Sequence, residues 1–381
     1  MIRNRFQDFD LPALAVGTMR LPVVDGVGTD IDIDATREMI AFAMENGANY
    51  FDTAWGYHGG NSESVVGELL AAYPRESYFL ASKFPGFDLE NLNRIEEIFE
   101  EQLRKCRTDY FDFYLFHNLC EMNLDQYLDP SYGLYDYLIE QKRAGRIRHL
   151  GVSTHGSYET TKRFLDAYGE SMDFCQVQLN WLDWEFQDAR AKVEMLAERD
   201  IPVFVMEPMR GGRLLQIEPG YKARLAAINP DWTLAEWAAR FLQSIPGVAT
   251  VLTGASSLEQ LRENVALFSS CRPLTEEEFG ELLDIARRMT SQRTVPCTAC
   301  RYCVEGCPKG LDIPWLLELY NEHAYSEGGF IAPMAIEALS ENELPQACIS
   351  CGSCEAVCPQ QIEISSVLRE FVVLLDTLPD E

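Results

Sequence analysis

Apolar, strand-like segments alternate with amphipathic, helix-like segments through roughly the first 270 residues of this 381-residue chain. Such alternation is typical of parallel β-α-β units. We identify eight strand and helix pairs, which at this length fit a closed (β/α)8 TIM barrel. A short hairpin before the first pair is expected to plug the barrel. The strands are predicted at 14–17, 50–55, 78–84, 111–117, 147–154, 174–180, 201–208 and 247–255.

An open, doubly wound parallel sheet is the alternative interpretation of the same alternation. Such a sheet normally carries a glycine-rich dinucleotide fingerprint, G-x-G-x-x-G, after its first strand. The segment that follows Gly17 has no such fingerprint. We therefore predict the barrel, and we expect its chemistry at the carboxyl ends of its strands.

Polar residues collect at these predicted strand ends. Asp52, Lys83 and His117 each lie at the end of an apolar segment, and Tyr57 follows five residues after Asp52. Because the ordinary pKa of tyrosine is about 10, Tyr57 needs a cation beside it to act as an acid at neutral pH. We expect Lys83 to be that cation and Asp52 to hold it. Further polar strand ends are Ser153, Thr154, Gln178, Asn180, Glu207 and Thr253.

Eight of the twelve cysteines lie in two runs after residue 296. Both runs have the spacing C-x2-C-x2-C-x3-C-P, which is that of bacterial ferredoxins with two 4Fe-4S clusters. In that motif each cluster takes three cysteines from one run and the last cysteine of the other. The predicted metal ligands are Cys297, Cys300, Cys303 and Cys358 for cluster one, and Cys348, Cys351, Cys354 and Cys307 for cluster two.

Zinc sites and disulfides are the alternative uses of these cysteines. Structural zinc favours four ligands in two separated pairs, unlike two full four-cysteine runs. An acidic intracellular chain is a poor setting for a disulfide framework. The segments between the runs are expected to be helical, which predicts a barrel domain at 1–290 and a small, mainly α-helical dicluster ferredoxin domain at 291–381. Cys106, Cys120, Cys175 and Cys271 fit neither run and are expected to be small buried residues.

The charge and hydropathy of the chain exclude some classes of partner. The net charge of −28 argues against binding to nucleic acid or to an anionic membrane surface. It favours solubility, or a docking face for a basic electron-transfer partner. The N-terminus lacks the apolar core of a secretory signal, and no segment approaches the roughly 18 apolar residues of a membrane helix. We therefore expect a cytoplasmic protein.

Residues 10–290 resemble the aldo-keto reductase superfamily. The likeness is carried by FDTAWGY, GNSESVVGELL, LASK, LFH, GVST, QVQLN and GASSLEQLREN. Members use an Asp, Tyr, Lys, His tetrad, which implies that Asp52, Tyr57, Lys83 and His117 are catalytic. The resemblance implies that Tyr57 protonates a carbonyl oxygen, that Lys83 lowers the pKa of this phenol, and that His117 orients the carbonyl. The whole chain resembles the branch with a C-terminal dicluster domain.

The resemblance also implies an extended nicotinamide cofactor, NADP(H) or NAD(H), across the end of the barrel. Many relatives place an aromatic ring against the nicotinamide, where this chain has Met206 or Glu207. Many carry basic residues around the 2′-phosphate, for which Arg210 and Arg213 are candidates here. The choice between the two nicotinamides stays open. The implied cofactor-binding residues are Gly17, Thr18, Ser153, Gln178, Met206, Glu207, Pro208, Arg213, Gly254, Ser256, Gln260, Glu263 and Asn264.

Two functions of different classes follow from these features. The first is an oxidoreductase that reduces a carbonyl or oxidises an alcohol with NAD(P)H, while its clusters link it to an electron carrier such as a ferredoxin or flavoprotein. A hydride carries two electrons whereas a cluster accepts one, so a flavin in the barrel, or clusters with a structural role, are alternatives. The second is a non-catalytic nicotinamide or redox sensor that docks on a partner. The loops 118–131 and 210–231 are expected to select the substrate.

Overall fold

Eight parallel strands close into a barrel in the computed structural model, which describes residues 1–291, 294–297, 301–326, 328–358 and 360–376. Neighbouring barrel strands pair in parallel, so their carboxyl ends lie at one end, which we call the barrel mouth. The predicted TIM barrel is confirmed. The strands are β1 (Arg3–Phe6) and β2 (Phe9–Pro12), which form a hairpin, and the barrel strands β3 (Leu14–Gly17), β4 (Tyr50–Asp52), β5 (Phe79–Phe84), β6 (Phe111–Leu119), β7 (Ile147–Thr154), β8 (Phe174–Gln178), β9 (Val203–Met206) and β10 (Val248–Thr253).

Helices alternate with the barrel strands. Several begin after a residue whose side chain accepts a backbone N–H of the first turn, as Asp32, Ser157, Thr233 and Ser257 do. Each such cap stabilises its helix by about 1 kcal/mol. The helices are α1 (Ile33–Glu45), α2 (Ser62–Leu70), α3 (Ile95–Lys105), α4 (Leu124–Leu128), α5 (Leu134–Arg143), α6 (Tyr158–Tyr168), α7 (Asp183–Phe186), α8 (Ala189–Glu198), α9 (Pro219–Ile228), α10 (Leu234–Gln243), α11 (Leu258–Leu267) and α12 (Glu276–Ser291).

The hairpin of β1 and β2 closes the end of the barrel opposite the mouth, as expected. Phe6 is 1% exposed and packs edge-on against Phe113, Phe204 and His149, with ring centroids 5.2 to 5.6 Å apart. A fully buried aromatic side chain of this kind contributes roughly 2 to 3 kcal/mol. Because the hairpin fills the floor of the barrel, a ligand has access from the mouth.

Two details differ from the sequence-based expectation. The loops expected at 118–131 and 210–231 contain helices α4 and α9, so each is partly ordered by helical hydrogen bonds. Cys106, Cys120 and Cys175 are buried as expected, but Cys271 is exposed, so the expectation for this cysteine was wrong. It lies between α11 and α12, where the chain runs over the surface.

The chain divides into two units, Met1–Leu283 and Asp284–Glu381. The division falls inside α12, whereas the boundary predicted at residue 291 lies at the end of that helix. The second unit is helical, as expected, and its core includes Leu316, Leu317, Leu368 and Phe371. Within the described residues, no helix is long and apolar enough to cross a membrane. The helices of this unit are α13 (Tyr302–Glu305), α14 (Ile313–Ser326), α15 (Ile331–Glu337) and α16 (Ile364–Asp376).

Candidate active site and cluster ligands

The strand register brings three of the predicted catalytic residues together. Asp52 of β4 is the register partner of Ala81, and Lys83 lies two residues farther along β5. Lys83 is in turn the partner of Leu115, and His117 lies two residues farther along β6. Because side chains alternate between the faces of a strand with a period of two, all three side chains point into the barrel. Each is one pleat nearer the mouth than the one before.

Lys83 is the centre of the resulting site. Its Nζ donates to Oδ1 of Asp52 at 2.5 Å, to the carbonyl oxygen of Thr53 at 2.9 Å and to the hydroxyl of Tyr57 at 3.2 Å. Tyr57 reaches the lysine from a short 3-10 turn (Tyr57–Gly60) that follows β4. Lys83 and Asp52 are buried, and the three acceptors match the three protons of an ammonium group.

Burial and charge act in opposite directions on these groups. Burial lowers the pKa of Lys83, but Asp52 and Tyr57 outweigh it, and the pKa is raised above its usual value. Burial raises the pKa of Asp52, and Lys83 opposes this. Burial also raises the pKa of Tyr57, which Lys83 lowers and Asp52 and Glu207 raise. Lys83 therefore acts on the phenol in the expected direction, but the net pKa of Tyr57 lies above its ordinary value.

His117 presents a neutral imidazole next to Tyr57. The two rings are 6.0 Å apart at 79°, and Phe87 packs edge-on against the histidine with centroids 5.3 Å apart. Burial, followed by the charges of Lys83 and His155, holds the pKa of His117 well below its usual value. Among the described residues, its Nδ1 has no hydrogen-bond partner. A neutral imidazole donates one hydrogen bond, which suits it to orient a carbonyl oxygen.

Several predicted cofactor-binding residues lie at the mouth but already make hydrogen bonds. The hydroxyl of Ser153 accepts from the backbone N–H of Asn118 at 2.9 Å, and the hydroxyl of Thr18 donates to the carbonyl of Asp52 at 2.9 Å. Asn264 donates to the hydroxyl of Thr253 at 2.6 Å. Gln260 accepts from the backbone N–H of Ser256 at 2.8 Å. Gly254, Ser256, Gln260 and Glu263 are exposed, whereas Gly17, Met206 and Pro208 are partly buried.

Sequence reasoning missed the residue that holds Gln178. Asp183, at the start of α7, is buried and accepts from the side chain of Gln178 at 2.9 Å and from that of Asn180 at 2.6 Å. It also pairs with the buried Arg210 at 3.3 Å. Arg210 is thus committed to Asp183, which argues against it as a phosphate ligand, whereas Arg213 is exposed. Two of its partners, Gln178 and Asn180, lie within five residues of Asp183, whereas Arg210 comes from the loop after β9.

The second unit brings together the four cysteines predicted to hold cluster two. Cys348, Cys351 and Cys354 of the second run line one cavity together with Cys307 of the first run, beside Lys309 and Pro308. This shared cavity is what the cross-over rule requires, because it mixes the two runs. A 4Fe-4S cluster is held by four cysteine thiolates, and this cavity is lined by four cysteines.

The ligands predicted for cluster one are described only in part. Cys300 lies outside the described residues. Cys303 belongs to the core of the second unit, and Cys297 and Cys358 pack against that core. As the described side chains stand, no three His, Cys, Asp or Glu residues converge closely enough to hold a metal ion. The cavity shared by four thiols is therefore the observation that supports a cluster. The described side chains do not already form a coordination shell.

Comparison with known proteins gives two family matches. Residues 13–287 match the model of the aldo/keto reductase family. Residues 296–363 match a 4Fe-4S dicluster domain. The two matches cover the barrel and the cysteine-rich unit separately.

Individual relatives agree with the first match. The chain is 26% identical over 308 residues to an uncharacterized oxidoreductase, YqkF, of Bacillus subtilis, covering 72% of this chain and 92% of the relative. It is 27% identical over 303 residues to an NADH-specific methylglyoxal reductase of Escherichia coli, covering 68% and 90%. The holo form of aldo-keto reductase AKR11C1 from Bacillus halodurans superposes with a TM-score of 0.61 at 25% identity, over 75% of this chain and 96% of that chain.

Proposed function

Because the chain belongs to the aldo/keto reductase family, we propose that it reduces a small carbonyl compound, or oxidises the corresponding alcohol, with NAD(P)H at the barrel mouth. The observation that carries the proposal is the position of Lys83. Its ammonium touches both the carboxylate of Asp52 and the hydroxyl of Tyr57. That arrangement is what a phenol needs in order to give up a proton, since the cation stabilises the phenolate that remains.

The residues of the site divide the work of proton transfer. A bound nicotinamide would supply or accept the hydride. Tyr57 holds the proton on its hydroxyl and donates it to the carbonyl oxygen. Lys83 stays charged because Asp52 is beside it, and it stabilises the resulting phenolate. His117, neutral and next to Tyr57, donates a hydrogen bond that orients the carbonyl.

For the cofactor we propose a nicotinamide dinucleotide along the ends of β7 to β10 and β3. Ser153 and Gln178 are the proposed partners of the carboxamide. Gln178 is supported by Asp183, which fixes one end of its amide. Met206 and Glu207 would lie against the nicotinamide. The proposed contacts of the adenosine end are Gly254, Ser256, Gln260, Glu263 and Asn264.

For the cysteine-rich unit we propose two 4Fe-4S clusters with crossed ligands. The cavity shared by Cys307 and the second run supports this arrangement. Two clusters together hold the two electrons of one hydride, so we propose that they link the barrel chemistry to an electron carrier such as a ferredoxin or flavoprotein. The acidic composition, and cysteines spaced for cluster ligation and not for disulfides, favour the cytoplasm as the compartment.

The catalytic proposal is tested with the holoprotein, NADPH and NADH in turn, and a panel of carbonyl compounds that includes methylglyoxal. Tyr57→Phe should lower kcat/KM by on the order of 10²- to 10⁴-fold, since it removes the proton donor. Tyr50→Phe is the matched control. Tyr50 is buried in β4, and its hydroxyl has no hydrogen-bond partner among the described residues. If Tyr57→Phe equals the parent in kcat/KM, catalysis by this tetrad is wrong. A parent that binds the cofactor but reduces no compound of the panel would favour the sensor.

The electron link is tested separately. The holoprotein is mixed with NADPH without oxygen, and its EPR spectrum is recorded. The signal of reduced clusters is expected if the barrel and the clusters exchange electrons. A silent spectrum at full occupancy by the nicotinamide would show that the clusters have another role.

A further inference from the structure

The segment that carries Tyr57 has an irregular backbone. After β4 the chain turns, and the N–H of Tyr57 donates to the carbonyl oxygen of Ala54 at 3.2 Å. The next three residues have φ values of +53° at His58, +62° at Gly59 and +90° at Gly60. A left-handed conformation is strained for a histidine, and such strain persists only where surrounding contacts hold it. The position of the Tyr57 hydroxyl therefore depends on contacts from outside this segment.

Lys105, the last residue of α3, contacts this segment on both sides of the tyrosine. Its Nζ lies 4.0 Å from the centroid of the Trp55 ring, which is a cation–π contact. The same Nζ donates to the carbonyl oxygen of Gly60 at 3.4 Å. Trp55 comes two residues before Tyr57, and Gly60 comes three residues after it. One ammonium group therefore joins the two ends of the segment.

The charge of Lys105 is balanced by a buried carboxylate. Oε2 of Glu63, in the first turn of α2, lies 3.5 Å from Nζ of Lys105, and the side chain of Glu63 is 0% exposed. Burial raises the pKa of Glu63, whereas a hydrogen bond from Ser82 and the charge of Lys105 oppose that rise. Moving Lys105 away would leave a buried carboxylate unpaired, which is costly. The ion pair therefore keeps the ammonium group in place.

Glu63 also reaches the strand that carries Lys83. Its Oε1 accepts from the hydroxyl of Ser82 at 2.7 Å and from the side-chain amide of Gln102 at 2.7 Å. That amide also donates to the backbone carbonyl oxygen of Lys83 at 2.9 Å. Ser82 directly precedes Lys83 on β5, and all four of these side chains are buried. Glu63 therefore fixes the backbone from which Lys83 extends.

The ion pair thus joins the two segments whose relative position sets the distance between the proton donor and its cation. We propose that the pair of Glu63 and Lys105 positions Tyr57 against Lys83. Lys105 holds the segment of the tyrosine, and Glu63 holds the strand of the lysine. Both act through Tyr57 and Lys83, so they are positioning residues and not catalytic ones. The inference rests on the proposed function, in which Tyr57 gives up the proton.

The first variant is Lys105→Met, which keeps an extended apolar side chain and removes the ammonium group. It also leaves Glu63 without a counter-charge, so it is compared with the double variant that combines Lys105→Met and Glu63→Gln. The double variant removes both charges and should regain much of the stability that the single variant loses. Trp55→Leu breaks the contact with the segment while it keeps the ion pair.

Two further variants serve as controls. Lys105→Arg is conservative, since arginine also pairs with a carboxylate and lies on an aromatic ring. It should restore most of what Lys105→Met loses. Arg104→Met is the matched control from the same turn of α3, because this guanidinium pairs with Glu101 at the surface and is 72% exposed. It should behave as the parent does.

The first measurement on the purified holoprotein is turnover of a carbonyl compound that the parent reduces with NADPH or NADH. The double variant and Trp55→Leu should lower kcat by about 10- to 100-fold, since misplacement of a reacting group by about 1 Å has an effect of this size. The KM for the nicotinamide should change by less than about three-fold, because the binding contacts are kept. A loss of folded protein alone would not divide kcat from KM in this way between variants rescued in stability.

The second measurement needs no substrate. The holoprotein is labelled with 3-fluorotyrosine, and the fluorine NMR resonance of Tyr57 is the one that Tyr57→Phe removes. The fluorinated phenol is more acidic than that of tyrosine, so it titrates at a lower pH. In the double variant and in Trp55→Leu the phenol is no longer held against Lys83, so its pKa should rise and its ionisation equilibrium should shift about ten-fold towards the neutral form.

Each outcome bears on the proposal. If kcat and the pKa of Tyr57 in the double variant and in Trp55→Leu match those of the parent, the proposal is overturned. If Lys105→Met lowers kcat and the double variant does not, the loss comes from the unpaired charge of Glu63, and this overturns it as well. A raised pKa of Tyr57 in these variants of a parent that reduces no carbonyl compound supports the positioning and contradicts the proposed function, so the two failures are distinguishable.

Discussion

Lys83 and Asp52 form an ion pair, 2.5 Å between Nζ and Oδ1, in which the two side chains are 0% and 2% exposed. A buried charge that loses its partner is strongly destabilising, because the remaining charge is neither solvated nor paired. The proposed catalytic pair is therefore also a structural one, and it links the ends of two neighbouring barrel strands.

We predict that Asp52→Asn lowers the free energy of unfolding of the barrel by roughly 3 to 5 kcal/mol, since it leaves the ammonium of Lys83 without a counter-charge. Urea unfolding followed by tryptophan fluorescence measures this, because five of the six tryptophans lie before residue 284. The double variant with Asp52→Asn and Lys83→Met should recover much of the loss. If the loss of unfolding free energy in the double variant equalled the sum of the losses in the two single variants, the two residues would not be coupled.

A second prediction concerns the packing of α2 on the end of α3. A Cβ on Gly67 would lie 2.5 Å from Cα of Cys106 and from the carbonyl oxygen of Lys105, both of which are backbone atoms. We expect Gly67→Ala to destabilise the barrel by about 3 kcal/mol, at the upper end of overpacking effects. Gly280→Ala in α12 is the control, since nothing lies within 4 Å of its Cβ position. It should stabilise the protein by about 0.5 to 1 kcal/mol, as alanine favours a helix interior. Equal effects of the two substitutions on the urea midpoint would refute the packing argument.

The barrel and its four proposed catalytic residues could be predicted from the sequence because their signals are local. Strand periodicity places Asp52, Lys83 and His117 at strand ends, and the barrel topology brings strand ends together without further information. The strand register aligns the side chains. Lys83 lies two residues beyond the register partner of Asp52, and His117 lies two residues beyond the register partner of Lys83. The cysteine runs are equally readable, because cluster ligation imposes a fixed spacing on the chain.

Other parts of the site depend on contacts between distant segments. Lys105 and Gly60 are 45 residues apart in the chain, and nothing near either residue indicates the other. The pairing of Asp183 with Arg210 has the same origin. The raised pKa of Tyr57 could not be predicted from the sequence either. The charge of Lys83 alone predicts a lowered pKa, whereas the burial that raises it depends on packing.

The third prediction concerns pH. Burial, followed by the charge of Lys192, lowers the pKa of His155 to about 4, while a hydrogen bond with Gln178 opposes this. In the unfolded chain this histidine has its ordinary pKa of about 6.5. Between pH 6.5 and pH 4 the unfolded chain therefore binds a proton that the folded chain does not, so the free energy of unfolding falls as the pH drops through this range. Between pH 7 and pH 5 this one group should cost about 2 kcal/mol.

His155→Gln isolates this contribution. Urea unfolding of the parent and the variant at pH 7 and pH 5 gives two differences in free energy, and the parent should lose about 2 kcal/mol more than the variant. His117 and His149 also have lowered pKa values, so both proteins should still lose some stability in acid. Identical losses in the two proteins would show that His155 is solvated in the folded state.

The last prediction concerns the crossed ligands of the two clusters. If Cys307 serves the same cluster as Cys348, then Cys307→Ser and Cys348→Ser should each remove about half of the iron and leave the same EPR signal after reduction. The double variant should lose no more iron than either single one. Cys297→Ser should instead remove the other cluster, so that combining it with Cys307→Ser abolishes both signals. Cys271→Ser is the control, because this exposed cysteine lies outside both runs and its loss should leave the iron content unchanged. Loss of both clusters in the variant that lacks Cys307 and Cys348 would mean that each run holds its own cluster, and the shared cavity would then have no role in ligation.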